Sequence, residues 1–184
     1  MLGPLIIVSG PSGSGKSTVI AEVLKVCKQP IRVAVTATTR QKREGERDGV
    51  DYHFWTRERF IEEIAAGSLL EHAIVHGKDF YGTPLSEVDP YRLEGKGVML
   101  VIDVQGAATV RGKCPGVFSI FLNAPDLLQR LVRRGELPEN IEKRLATAKG
   151  ELDRANEYSV VLVNENLQET VDAMCKLIEQ RFRQ

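Results

Sequence analysis

An excess of charge of either sign is what this sequence most plainly lacks: its 25 lysines and arginines are matched by 25 aspartates and glutamates. A chain so balanced carries no global field to draw it onto nucleic acid or a membrane, so neither is expected as a partner, and local basic clusters are judged by their own geometry. Cysteine is scarce too. Cys27, Cys114 and Cys175 are odd in number, far apart in sequence and without metal-ligand spacing, which reads as buried or incidental thiols in a reducing compartment. Long hydrophobic runs are also missing. The N-terminal MLGPLIIVSG has no basic leader and only a very short apolar run, so neither a signal peptide nor a membrane span is expected, and the expected location is cytoplasmic. There is no internal repeat, low-complexity tract, paired-carboxylate signature, metal cluster or Ser-His-Asp pattern. His53, His72 and His76 have no clear carboxylate partner and read as exposed or packed rather than catalytic.

What is present is an ordinary globular composition, with 42% hydrophobic and 27% charged residues over 184 positions. That length suits one domain, or one core with inserted lobes. Short β-branched runs at 5–8, 31–35, 97–102, 117–122 and 159–163 alternate with helical patterns over 19–26, 124–133, 138 to about 156, and 168–182. This alternation predicts an α/β fold with a mostly parallel sheet flanked by helices.

The most informative stretch follows the first apolar run. Gly10-Pro11-Ser12-Gly13-Ser14-Gly15-Lys16-Ser17-Thr18 fits G-x-x-x-x-G-K-[ST] between a strand and a helix. Glycines let the backbone curl so that N–H groups converge on an anion at the positive end of the following helix. Lys16 is expected to bridge the β- and γ-phosphates of ATP, and the Ser17 hydroxyl to enter the shell of a Mg²⁺ ion.

From Thr36 to about Glu87 the rhythm changes. The chain becomes dense in Arg, Glu, Tyr, His and Gly, with candidate strands at 50–55 and 69–75 around a helix over 57–66. An insertion at the carboxyl ends of parallel strands overhangs the ligand crevice. Within it, Arg40 and Arg43 carry guanidinium forks suited to a monophosphate, and Tyr52 and Tyr81 carry phenolic donors. The same residues read equally well as a solvated charged loop and half-buried packing tyrosines. Asp103 ends a core strand near the expected crevice.

The stretches TATTRQKREGERDGVDYHF, LLEH, DFYGTP and VIDVQG, in that order behind the phosphate loop, resemble guanylate kinase from Leu5 through at least Asn164. The resemblance implies a P-loop kinase core over 1–35 and 88–184, a small mixed α+β monophosphate lobe over 36–87, and a helical lid over about 130–145. The implied reaction is ATP + GMP to ADP + GDP with Mg²⁺, with dGMP a further candidate acceptor. Carried over by position, Arg40, Arg43, Tyr52 and Tyr81 surround the GMP phosphate. Glu71, Thr83 and Asp103 surround the guanine, with Thr36 nearby. Asp103 is assigned to the base, to Mg²⁺, or to both. Arg134 and Arg144 are the lid cations, Arg40 is a third, and Asn164 lies toward the adenine of ATP. Val101 stands where many relatives carry an acidic residue, and the span from Arg134 to Arg144 is about one residue shorter than expected of the family. Two alternatives stay open: a ribose bisphosphate phosphokinase, which should lack the TTR-x-x-R-x-G-E, D-Y and L-L-E set, and a guanylate-kinase-like peptide-binding module, which usually lacks a working phosphate loop.

Overall fold

Leu5–Ser9 (β1) is buried at every position, as only a strand covered on both faces can be, and the chain is built outward from it. The structure is a computed structural model that describes residues 1–75, 77–133, 135 and 137–183. After β1 come α1 (Lys16–Val26), β2 (Ile31–Val33), β3 (Ala37–Thr38), β4 (His53–Phe54), α2 (Arg57–Ala65), β5 (Leu69–Val75) and β6 (Asp79–Pro84). They are followed by α3 (Asp89–Leu93), β7 (Gly97–Val101), α4 (Val104–Lys113), β8 (Phe118–Asn123), α5 (Leu127–Arg133), α6 (Pro138–Leu152), β9 (Val160–Val163) and α7 (Leu167–Arg181). Short 3₁₀ turns occupy Leu85–Glu87 and Ala155–Glu157.

Five strands form one sheet in the order β2-β7-β1-β8-β9, each neighbouring pair parallel. Alternation along β1 sends Ile6 and Val8 to one face, where they pack with Val19 and Val23 of α1 and Val171, Met174 and Ile178 of α7. Leu5 and Ile7 go to the other face, against Val104, Ala107 and Val110 of α4. The α/β architecture with a mostly parallel sheet flanked by helices is therefore the one predicted.

The remaining strands make a second, mixed sheet, β4-β3-β6-β5, in which β3 pairs parallel with β4 and β6 runs antiparallel to both β3 and β5. Its small core is Ala37, Phe60 and Leu69, with Trp55, Ile64 and Phe80 against them. Lys113 at the end of α4 donates to Leu70 O (2.8 Å), so β5 is tied to the helix that follows β7.

Several predicted elements differ in extent. The helix predicted from Val19 begins at Lys16, so the phosphate-loop lysine and serine lie in its first turn. The strand predicted over 31–35 ends at Val33, because Val35 N–H turns to the Glu87 carboxylate (3.3 Å) instead of a strand neighbour. Of the strand predicted over 50–55 only His53–Phe54 is regular. Gly49 N–H bonds Tyr52 O (2.8 Å) and the Asp48 carboxylate accepts from Phe54 N–H (2.8 Å), which closes the preceding segment into a loop. The helix predicted over 124–133 begins at Leu127, and the one predicted to reach about 156 stops at Leu152. Strands β3 and β6 and helices α3 and α4 were not predicted. The buried positions of α4 include Gly106 and Ala107, too small to write an apolar stripe into the sequence.

Cys27, Cys114 and Cys175 are free, half-buried thiols. Cys27 and Cys175, remote in sequence, meet where α1 and α7 pack together; burial and the neighbouring Cys27 thiol push the Cys175 thiol up to about 12. One side-chain expectation changes. His53 does have a carboxylate partner, Glu87, at 2.9 Å. His72 is exposed, and His76 lies outside the described residues. No described helix is long and apolar enough to cross a membrane.

Candidate active site

The loop between β1 and α1 turns on glycines with positive φ at Gly10, Gly13 and Gly15 (146°, 91° and 90°). At Gly15 the requirement is double, since a Cβ would lie 2.4 Å from Asn164 Nδ2. Asn164 is buried just after β9, and its amide donates to Ser14 O (2.9 Å), pinning the loop from below. The Lys16 ammonium donates to Gly10 O and to Pro11 O, the latter at 2.9 Å. With no acidic residue in the first turn of α1, the N-terminal amides of this 11-residue helix keep their positive potential. Thr18 faces away, with Gly13, Arg130 and Arg133, into a second hollow of about 320 Å³ behind the loop.

Facing the loop is a cleft of about 370 Å³. Gly10, Ser12, Lys16 and Ser17 form one wall, while Glu71 and Tyr81 of the second sheet, with Thr36 and Tyr52 just before its strands β3 and β4, form the other. Asp103, Arg144 and Glu151 complete it. Residues proposed for two different nucleotides thus border one space.

Glu71, on β5, is only 3% exposed. Its register partner across the antiparallel pair is Thr83, whose hydroxyl donates to Glu71 Oε1 at 2.6 Å. Burial pushes the Glu71 carboxyl up to about 7; the Thr83 bond opposes this and the Asp103 charge adds to it. Asp103 is the N-cap of α4, its Oδ1 accepting from Gln105 N–H (3.1 Å) and Gly106 N–H (2.8 Å). Its Oδ2 has only a 3.5 Å approach from Gln105 Nε2, too long to hold it firmly. Gly106 matters through its missing side chain: a Cβ there would stand 2.6 Å from Glu71 Oε2.

Arg40 is held on two sides. Its Nη1 and Nη2 donate to the Glu46 carboxylate at 3.0 and 2.8 Å, Nη1 also donates to Gln41 O (2.7 Å), and Nε donates to Tyr81 OH (3.2 Å). Tyr52 also bonds Arg40 through its side chain, so both phenols engage the guanidinium. Arg43 is exposed, and its backbone N–H ties to Glu46 (2.8 Å). Arg40 and Arg43 are therefore not two equivalent forks: one guanidinium presents an edge beside Tyr81 and Tyr52, and the other contributes its backbone to the same carboxylate. The Arg40 bonds hold the Glu46 carboxyl down to about 2.

From α6, Arg144 donates to Ser12 Oγ at 2.5 Å, reaching the loop directly. Glu151, seven residues further along the same helix, shares that face. Burial pushes its carboxyl up to about 7 against the attraction of Lys16, while Asp103 adds to the rise. Arg134, the other predicted lid cation, lies outside the described residues. Sequence reasoning gave no role to Glu46, Gly106 or Glu151. Two left a trace: Glu46 closes the TTR-x-x-R-x-G-E stretch, and Glu151 is two helical turns from Arg144; Gly106, in the first turn of α4, left none.

The guanylate kinase family pattern matches residues 3–181. A guanylate kinase of Clostridium perfringens is 43% identical over 173 residues, covering 92% of this chain and 79% of the relative. One from Prochlorococcus marinus is 44% identical over 179 residues, covering 95% and 96%. A crystal structure of guanylate kinase from Anaplasma phagocytophilum superposes with a TM-score of 0.82 at 33% identity, covering all of this chain and 88% of the other. With a glycine loop and a buried carboxylate bordering one cleft, and with similarity running nearly end to end, this chain belongs to the guanylate kinase family.

Proposed function

We propose that the chain transfers the γ-phosphoryl group of ATP to the phosphate of GMP, giving ADP and GDP, in purine nucleotide metabolism. The observation that carries the reading is the single cleft between Lys16 and Glu71, with cations on one side and a guanine-type acceptor on the other. In this reading residues 36–87 are the GMP-binding lobe of a core made by 1–35 and 88–184, with a lid over about 130–145, and the enzyme works in the cytoplasm.

An oxygen of the GMP phosphate attacks Pγ, an O–Pγ bond forms, and the bond from Pγ to the bridging oxygen of ADP breaks. The attacking oxygen is already anionic at neutral pH, so no strong base is required; alignment and charge neutralisation carry the rate. The backbone of 10–18 cradles the ATP phosphates, with Asn164 bracing it toward the nucleoside, and Lys16 follows the β- and γ-oxygens. Arg144, bonded to Ser12, is placed to meet charge developing on the transferred group, in company with Arg134 and Arg40. Arg40, Arg43, Tyr52 and Tyr81 hold the GMP phosphate. Glu71 accepts from guanine N1–H and N2–H, Thr83 orients Glu71, and Thr36 and Asp103 border the base. AMP has no such donor pair and would leave the carboxylate unpaired; dGMP keeps the pair and is expected to be accepted.

Among the described residues no group of three or more His, Cys, Asp or Glu could hold a metal by itself. This suits Mg²⁺, which keeps waters and binds through one or two protein oxygens plus substrate phosphates. Ser17 Oγ and Asp103 Oδ2 are the oxygens we assign to it. When bound it supplies charge neutralisation on the phosphate oxygens.

A coupled assay for ADP with ATP and each monophosphate in turn tests the reading: turnover is expected with GMP and at least about 10³-fold lower kcat/KM with AMP, CMP or UMP. Equal turnover of AMP would overturn it. A finer test is Gly106→Ala, whose methyl must displace the Glu71 carboxylate. The KM for GMP should rise about tenfold or more with that for ATP unchanged. The melting temperature should hold, because Gly106 lies in the first turn of α4, where Ala forms helix at least as well as Gly.

A further inference from the structure

Glu87 lies outside the cleft, at the end of the turn Leu85–Glu87 by which the chain leaves β6. Its carboxylate gathers three separate parts of the fold. Oε2 accepts from Arg32 Nη2 of β2 (2.6 Å) and from Val35 N–H (3.3 Å). Oε1 accepts from His53 Nε2 of β4 (2.9 Å); an ionised carboxylate has no proton to give, so the imidazole nitrogen is the donor. Arg32 also donates through Nη1 to the Glu87 carbonyl oxygen (2.7 Å), and its guanidinium lies over the Tyr91 ring, 3.6 Å from the centroid. Burial works against the charge on Glu87, yet the His53 and Arg32 bonds hold its pKa below the ordinary carboxylate value.

The node therefore joins the edge strand of the five-stranded sheet, the segment leaving it, and a strand of the second sheet. Two of its partners are chain neighbours of cleft residues: Thr36 follows Val35, and Tyr52 precedes His53. His53 N–H bonds Thr36 O (2.9 Å), so the two cleft-lining segments are also tied to each other. A side chain that fixes Val35 and His53 fixes the backbone from which Thr36 and Tyr52 face the cleft.

We propose that Glu87 is a positioning residue for GMP: it clamps the crossing between the two sheets and so sets the distance of Thr36 and Tyr52 from the phosphate loop. The inference rests on the GMP reading of the cleft. It predicts a selective defect, because the loop, Asn164 and Lys16 hang on β1 and β9 and do not pass through the node.

The test is steady-state kinetics of Glu87→Gln. The amide keeps the shape but replaces one acceptor oxygen with a donor facing Arg32 or His53. GMP KM should rise about tenfold, with ATP KM within about twofold and kcat within about threefold. A loss of charge-assisted bonds that acted only on folding would lower kcat for the whole preparation and leave both KM values alone, and that result overturns the proposal. Should Glu87→Gln not fold, His53 supplies the same test. His53→Ala should raise GMP KM and His53→Gln, which can still donate to Glu87, should restore it; equal GMP KM values in both overturn it. Wild-type protein without GMP turnover would remove the GMP reading and this inference together. Wild-type turnover with an unmoved GMP KM in the variant removes the Glu87 role alone.

Discussion

Glu71→Gln is expected to lower kcat/KM for GMP by about 10³-fold or more while leaving ATP binding nearly unchanged. A carboxylate offers acceptors to both N1–H and N2–H of guanine, whereas a carboxamide turns one of them into a donor and leaves a donor facing a donor in a buried site. Unchanged GMP kinetics would remove Glu71 from base recognition. The same substitution has a signature in stability. Burial lifts the Glu71 carboxyl from 4.5 to about 7, so the unfolded chain gives up its proton at lower pH than the folded one. Between those values the folded state binds more protons, and stability falls as pH rises through the window. The upper bound on that loss is on the order of 3 kcal/mol, reached above pH 7. Glutamine has no charge to bury, so the variant should melt above wild type at pH 8, with the gain shrinking as the pH is lowered toward 4.

Binding of GMP favours the ionised carboxylate. Wild-type protein should therefore release a proton on binding GMP near neutral pH, and GMP affinity should weaken as pH falls below about 7. Calorimetry in buffers of different ionisation enthalpy reads this directly, and the glutamine variant should lose the Glu71 share of the release. A variant that melts lower than wild type at pH 8 and shows the same buffer dependence would contradict the ionisation assigned to Glu71.

Lys16→Met should reduce kcat by at least about 10³-fold, the scale expected when a positioned cation is withdrawn from transferring phosphoryl oxygens. The fold should survive. The Lys16 ammonium donates to the loop carbonyls of Gly10 and Pro11 and attracts the Glu151 carboxyl, while methionine keeps a stem of similar length. Circular dichroism and the melting temperature should stay near wild type, so that lost turnover is chemical. Near-normal turnover would take the lysine out of the mechanism.

The two ends of the cleft were legible to different degrees. The phosphate loop could be read directly, because its chemistry is local: glycines, lysine and serine within nine residues, with a strand before and a helix after. Arg40, Tyr52, Glu71 and Tyr81 were nameable through ordered motifs that resemble a family. For Arg40, Tyr52 and Tyr81 the residue types alone left solvated-loop and packing readings equally open, and Glu71 alone read as a surface carboxylate. Glu46 stood inside one of those motifs, but nothing in the spacing said that its carboxylate would take the guanidinium edge of Arg40. Strands β3 and β6 escaped because two residues write no periodicity and DFYGTP follows no simple alternation.

From the sequence alone followed whatever depends on neighbours along the chain: the α/β alternation, the phosphate loop, the helix dipole behind it and the order of the motifs. Tertiary structure alone decided which distant groups share a space. It buried Glu71 against Gly106 and Thr83, brought Glu151 to Lys16, and gathered residues 32, 35, 53 and 87 at one carboxylate. The reason is physical. Backbone preference and apolar period act over a few residues, whereas desolvation and charge pairing depend on separations in space that only the packing of the two sheets brings about.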